Sequence, residues 1–360
     1  MAGLALVVTG CASSGGGSES SSSPQASESV SDTYTFTDST GREVELPRNI
    51  ERVASGGPLA NIMLYAVKPE VIVGWSKKPS KEARECMDKK YWDLPEYGKF
   101  YGKSGDFNRE ALMAAKPQVV IDVGEWDEDY KKDLDKLQEQ IGIPVVLIDG
   151  NIKENPSAFR TMGKLLGEEE RGEELGKYSD EVLQDAQDRV KKIKDHKKVY
   201  VGEREDGLST ILAGTIHAQI FEMVGADVVA TPEVANKQQG GGTVSLEQVL
   251  AWNPDAIFFG PDSIYESVAS DPTWSGLKAI QNGDYYRIPD TPYNWVGRPP
   301  GPNRLIGIRW VGNMLYPDVF DYDMEKEVKH FYKLMYRHDL TDEEVADLLG
   351  DSDSHEEKAA

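Results

Sequence analysis

The segment NREALMAAKPQVVIDV, from Asn108 to Val123, returns in altered form as SLEQVLAWNPDAIFFG, from Ser245 to Gly260. Asn108 pairs with Ser245, Glu110 with Glu247, Pro117 with Pro254 and Val119 with Ala256, always at a spacing of 137 (245 − 108, 254 − 117). Each copy carries a capping side chain, a Glu in the first turn, a short apolar helix, a proline that stops it and an apolar strand. A helix feeding directly into a buried strand is the unit of a parallel α/β layer. Two such units in register predict two similar lobes.

Between the copies lies EEERGEELGKYSDEVLQDAQDRVKKIK, from Glu168 to Lys194. Leu175, Tyr178, Val182, Ala186, Val190 and Ile193 recur every three or four residues, one apolar stripe on a polar rod. Glu168, Glu169 and Glu170 suit the positive end of a helix dipole, and Lys191, Lys192 and Lys194 the negative end. At 1.5 Å per residue this predicts a helix of about 40 Å joining the lobes.

The chain of 360 residues carries a formal charge of −22, which argues against a nucleic-acid partner because such a partner needs a basic face. No apolar run reaches the length of a membrane-spanning helix. The first residues, MAGLALVVTGCASSGGGSES, place a short apolar run before Val8-Thr9-Gly10-Cys11. That arrangement is similar to the lipobox of a bacterial lipoprotein signal peptide, in which the cysteine is acylated. No Lys or Arg precedes the run, which suggests that the start lies further upstream. Residues 1–11 are therefore read as a truncated signal peptide with Cys11 as the lipidation site, and 12–31 as a Ser/Gly-rich tether. The second cysteine, Cys86, then has no partner, so neither a disulfide framework nor a Cys-based metal site is expected.

From residue 32 onward the pattern alternates strand and helix. YTFTDSTGREVELP, from Tyr34 to Pro47, reads as a hairpin. Short strands are expected at Val53–Ser55, Glu70–Gly74, Val119–Val123 and Pro144–Ile148, with helices at Leu59–Val67, Glu110–Ala115 and Glu128–Ile141. In the second half, strands are expected at Lys198–Gly202, Ala226–Val229, Ala256–Phe259 and Tyr285–Ile288. Helices are expected near His217–Val224, Leu246–Trp252, Thr273–Asn282, Met324–Tyr336 and Asp342–Leu349. The division is a first lobe at 32–155, a linking helical segment at 156–194, a second lobe at 195–350 and an acidic tail at 351–360.

In open α/β sheets ligands bind beyond the carboxyl ends of the strands, so the loops after the strands are the place to look. There the sequence offers Trp75, Lys77, Tyr101, Lys103 and Trp126 in the first lobe, and Arg204, His217, Tyr293, Trp295, Arg298 and Arg304 in the second. Aromatic rings beside cations fit a ligand with flat or apolar parts and negative charge. TPYNWVGRPPGPNR is stiffened by four prolines and two glycines, and Tyr293, Trp295, Arg298 and Arg304 are expected to face outward from it. His217 is a candidate metal ligand, although a lone histidine is more often structural. No HExxH, GxSxG or Walker-type loop is present, no nucleophile–base pair stands out, and no cofactor is implied.

With these pieces assembled, the chain resembles the class III substrate-binding proteins of bacterial ABC importers, which serve iron–siderophores, haem and cobalamin. The resemblance rests on TFTDSTGREVELPRNIERVAS, NREALMAAKPQVVI, the rod after LLGEEERGEEL, SLEQVLAWNPDAIFF and WVGRPPGPNRLIGIRWVGNMLYPDVF. It implies an α/β fold of two Rossmann-like lobes joined by a single long rigid helix, with the ligand in the cleft between them. It further implies a monomeric, lipid-anchored receptor on the outer face of the cytoplasmic membrane. That receptor would take an iron chelate or a related metal complex such as cobalamin, perform no chemistry, and hand its ligand to a permease dimer with its ATPase. By motif position, Glu110 and Glu247 would dock onto arginines of the permease. Alternatives are a receptor for an oxyanion such as molybdate or tungstate or for a bare metal ion, a lipid-anchored α/β enzyme, and a solute sensor without a permease.

Overall fold

The computed structural model describes residues 32–98, 100, 107–238 and 241–350. Cys11, the tether, Tyr101, Lys103 and the acidic tail lie outside them. The hairpin forms as β1 (Thr33–Thr37) and β2 (Glu43–Pro47), antiparallel with Phe36 opposite Val44. Asp38 closes its turn by accepting from the backbone N–H groups of Thr40 and Arg42 at 2.9 and 3.1 Å.

The first lobe is built on β3 (Val53–Ser55), α1 (Pro58–Val67), β4 (Ile72–Gly74), α2 (Lys81–Glu85), α3 (Arg109–Ala115), β5 (Val119–Gly124), α4 (Glu128–Ile141) and β6 (Val145–Asp149). Its four strands are parallel in the order β4-β3-β5-β6. Two helices follow, α5 (Asn155–Leu166) and α6 (Glu169–Val190), and then the second lobe. That lobe holds β7 (Lys198–Gly202), β8 (Ser209–Thr210), α7 (Gln219–Met223), β9 (Asp227–Val228), β10 (Asn236–Gln238), β11 (Gly241–Thr243), α8 (Leu246–Trp252), β12 (Ala256–Phe259), α9 (Lys278–Asn282) and β13 (Tyr285–Arg287). Its main sheet is also parallel, in the order β13-β12-β7-β9, and β10-β11-β8 form a small antiparallel sheet beside it. The chain closes with α10 (Arg304–Leu315), α11 (Met324–Tyr336) and α12 (Asp342–Gly350).

Side chains on a strand alternate between faces, and this divides the core into three. Val119, Ile121 and Val123 of β5, Val146 and Ile148 of β6, Val199 and Val201 of β7 and Phe258 of β12 enter one continuous cluster that also holds Leu175 and Val182 of α6 and Trp310 of α10. Their neighbours point the other way. Val120, Val145 and Leu147 pack under α4 with Leu134 and Leu137. Tyr200, Ile257 and Phe259 pack with Trp274 and Leu277. Each sheet thus has a private outer layer and an inner face in a core common to both lobes.

The linker differs from the expected rod. It has 22 helical residues rather than 27, about 33 Å at 1.5 Å each, because the chain turns at Lys191–Lys192. It also does not stand alone. Gly167, with φ of +69°, reverses the chain so that α5 lies along α6. A Cβ on Gly163 would come within 2.7 Å of the Gly172 Cα, so these backbones touch where no larger residue fits. Helix α10, which the sequence pattern did not disclose, is buried on nearly all sides and has no polar face to give it a period.

The repeat is reproduced in full. Asn108 and Ser245 cap their helices by accepting from Ala111 N–H at 2.9 Å and Gln248 N–H at 3.3 Å. Both helices end in a left-handed residue, Lys116 at φ +48° and Asn253 at φ +44°.

One buried carboxyl stands out in β5. Asp122 lies beneath the Gly56–Gly57 turn, where a Cβ on Gly56 would meet it at 2.6 Å. It accepts from Val123 N–H at 2.8 Å and from the Tyr130 hydroxyl at 2.5 Å, neither of them a cation. Burial pushes its pKa from 3.8 to about 6, against the two hydrogen bonds. The folded chain therefore keeps this proton to a higher pH than the unfolded chain, and ionisation between about pH 4 and pH 6 costs stability. Asp122→Asn is expected to raise the unfolding free energy at pH 7.5 by up to about 3 kcal/mol, at about 1.4 kcal/mol per unit, with no gain below about pH 4. Denaturant titrations at the two pH values check this; an equal effect at both would contradict it.

Candidate functional site

A cavity of about 310 Å³ opens at the carboxyl edge of the second lobe's main sheet. Glu203 follows β7, Gly260, Pro261 and Asp262 follow β12, and Ile288 and Asp290 follow β13. His217 and the segment from Pro292 to Arg298 complete the wall. The parallel sheet dictates this place, since the strands' carboxyl ends release their loops there.

The proline-rich segment is pinned from below. Trp295 is 0 % exposed and packs edge-on to Trp310 at 6.1 Å and Tyr332 at 6.5 Å. A Cβ on Gly307 of α10 would reach within 1.9 Å of the Trp295 carbonyl oxygen, so only glycine lets α10 lie against this backbone. Asn294 shapes the turn by accepting from Val296 and Gly297 N–H at 2.9 and 3.0 Å. The Asn303 side chain donates to the Tyr293 carbonyl at 2.9 Å, and the hydroxyls of Tyr332 and Tyr336 hold Thr291 and Asn303. Gly301 rests against Ile62 and Leu59 of α1, so the segment bridges to the first lobe.

Two polar contacts then set the chemistry of the wall. Nδ1 of His217 lies 2.6 Å from the Gly297 carbonyl. A carbonyl only accepts, so Nδ1 carries the proton and Nε2 keeps the lone pair. Burial lowers the His217 pKa below its usual value, and the nearby Arg298 charge adds to this, so the ring is neutral at pH 7. Arg298 meets Glu203 through Nε and Nη2 at 2.5 and 2.9 Å, a bidentate pair with Arg298 the more exposed member. Asp290 is held above the ordinary carboxylate range, chiefly by burial with Arg287 opposing. The described wall thus presents one neutral imidazole, one matched ion pair and two further carboxylates, Asp262 and Asp290.

Of the residues singled out from sequence, His217, Tyr293 and Arg298 line this cavity. The other described candidates do not line it. Trp75 is fully buried and donates from Nε1 to the Tyr91 carbonyl at 2.8 Å. Trp295 faces inward, contrary to expectation, because the apolar ring gains more from the shared core than from solvent. Arg304 is also fully buried, donating from Nη1 to the Ile216 carbonyl at 3.1 Å and to the Gln219 side chain at 2.8 Å, and burial lowers its pKa to about 10. Trp126 is half-buried against the outer layer of the first lobe, and Lys77 and Arg204 are exposed outside the cavity wall. Glu203, Asp262 and Asn294 lie in the loops that follow strands or in the proline-rich segment but were not chosen as binding residues, and Asp290 was not marked at all. The signal was available, for the three acids stand one to three residues beyond a strand's end, but in a chain with 62 Asp and Glu residues it carries little weight alone.

The sequence profile of a family described as periplasmic binding protein matches residues 53–292. The molybdate-binding protein MolA of Haemophilus influenzae is 26% identical over 333 residues, spanning 84% of this chain and 90% of that one. The Fe(3+)-citrate-binding protein YfmC of Bacillus subtilis is 25% identical over 188 residues, 51% of this chain and 58% of that one. Among solved structures, an ABC transporter solute binding protein from Sulfurospirillum deleyianum superposes with a TM-score of 0.80 at 28% identity, covering 88% of this chain and 99% of that one.

Proposed function

Since this chain belongs to the periplasmic binding protein family and is an ABC transporter substrate-binding protein, we propose that its ligand is an anionic metal chelate, such as a ferric carboxylate or siderophore complex, held at the second-lobe cavity. The observation that carries this reading is the orientation of His217. Its Nδ1–H is committed to the Gly297 carbonyl, and the lone pair of Nε2 is left on a residue of the cavity wall. A neutral imidazole fixed through its other nitrogen is suited to complete a metal's coordination sphere. Among the described residues no three His, Cys, Asp or Glu side chains converge on a metal-sized site, which favours a metal that arrives with most of its donors. Arg298 would meet a carboxylate or phenolate of the chelate, and Tyr293 an apolar part.

A second reading is a bare oxyanion such as molybdate, favoured by MolA, whose match spans 84% of this chain. Against it stands the His217 Nε2 lone pair, an acceptor that a bare oxyanion, offering only acceptor oxygens, would meet without a donor or a metal. Calorimetry and native mass spectrometry with ferric citrate, a ferric catecholate and molybdate separate the two. Ferric chelate binding is expected, weakened at least about tenfold by His217→Ala. Binding of molybdate alone, unaffected by His217→Ala, would overturn the chelate reading.

Delivery to a permease follows from the family, and Glu110 and Glu247 are proposed as the docking acids. Both are exposed at the second position of their helices. Hydrogen bonds to its own backbone N–H and to Ser245 keep the Glu247 carboxyl below the usual range, hence charged. Both helix starts lie at the ligand-bearing edge. Asn108 N–H donates to Tyr97, whose N–H donates to Trp75 just beyond β4, and Val244 N–H donates to Leu208 near Glu203 just beyond β7. A partner seated on both acids would therefore face the cleft. Attachment to the membrane is proposed to run through Cys11, on the strength of the apolar run that ends at Val8-Thr9-Gly10-Cys11. Cys11→Ser, with a complete signal peptide, is expected to move the protein from the membrane fraction to the soluble fraction; retention would contradict the anchor.

A further inference from the structure

The two matching helices share more than their acids. Residues 110–119 and 247–256 have the same burial class at every one of their positions. Leu112 and Val249 are the inward anchors, both fully buried. The residue after each anchor is large, apolar and exposed: Met113 at 45 % and Leu250 at 37 %. These also stand 137 apart (250 − 113). Only three large apolar side chains are exposed among the described residues, and the third, Val234, lies outside the repeat.

A single exposed apolar side chain is ordinary on a protein surface. Here the two occupy equivalent positions of the two matching helix–strand units, each three residues after an exposed Glu. Residues at i and i+3 share a helix face. Each lobe therefore presents a carboxylate and an apolar side chain side by side on the ligand-bearing edge. The following residues, Ala114 and Ala251, are exposed and small, leaving the apolar chain accessible from the side.

We infer that Met113 and Leu250 are anchors of a two-point docking surface whose occupant is a membrane permease with two equivalent halves, each half offering a cation beside an apolar socket. The inference rests on the docking reading of Glu110 and Glu247 and extends it. Charge complementarity names the partner's cation, and the repeat names its two-fold character. The two elements divide the labour. Exposed carboxylates steer encounter and fix orientation, and their contribution fades with salt. Apolar anchors seated in a pocket are desolvated on binding and hold the complex at any ionic strength.

The test uses the full receptor and the importer's permease–ATPase complex in lipid nanodiscs, with affinity measured at about 50 mM and about 500 mM salt, where screening differs widely. Met113→Gln with Leu250→Gln is expected to leave the melting temperature and ligand affinity unchanged, since both side chains are exposed. It is expected to weaken docking about tenfold at both salt concentrations. Glu110→Arg with Glu247→Arg is expected to lose most at low salt and to abolish stimulation of the ATPase. If the Gln pair docks like the parent at both salt concentrations while the Arg pair fails, the apolar anchors are refuted and the charge docking stands. If both pairs dock like the parent, both readings fall.

Discussion

The close approach of α5 and α6 is the constraint on which the two-lobed arrangement depends. Gly163 and Gly172 let the two backbones meet, and the Cβ of any other residue would force them apart. The pair is then tied to α1 and α11. Arg171 of α6 donates to the Ala66 carbonyl at 3.1 Å and to Leu334 of α11, and Arg337 donates to the Val67 carbonyl at 3.0 Å. These guanidinium groups satisfy carbonyls at the carboxyl end of α1 that its own hydrogen bonds leave open. Lys68 adds a bond to the Leu166 carbonyl at 2.8 Å and an ion pair with Glu168 at 3.2 Å. The lobes thus share one core, wrapped around a helix pair, α10 and α11. Such a frame suits the docking proposed at Glu110 and Glu247, because packing in one core holds the two positions together.

The same core explains the cavity's shape. Trp295 is committed to the interior, and its burial holds the proline-rich segment down while Tyr293 and Arg298 on either side remain at the cavity. His217 is oriented by a carbonyl of that segment, and Arg298 is oriented by Glu203 at the end of β7. Site and fold are therefore not separable here. The side chains proposed to meet the ligand are positioned by one buried indole, and by a glycine in α10 that leaves room for its carbonyl.

What the sequence disclosed was local and periodic. The repeat at a spacing of 137, the caps at Asn108 and Ser245, the hairpin, and the helices at Glu128–Ile141 and Met324–Tyr336 could be read because each writes its own pattern within a few residues. Helix α10 could not, because burial on all sides erases the amphipathic stripe. Neither could the small sheet of β8, β10 and β11, whose strands are two or three residues long and rich in glycine and polar side chains. For the site, chain position identified the right loops but not the direction of each side chain. Trp295 and Arg298 are three residues apart in one loop, one fully buried and one exposed, and only tertiary packing decides between them.

The proposed metal complex sits against His217 at the carboxyl edge of the second sheet. The most direct measurement is diffraction at the iron absorption edge from crystals grown with a ferric chelate. An anomalous peak at coordination distance from His217 Nε2, within the cavity bounded by Glu203, Asp290 and Arg298, is the expected result. A peak elsewhere in the molecule, or a bound chelate whose iron makes no approach to His217, would contradict the account.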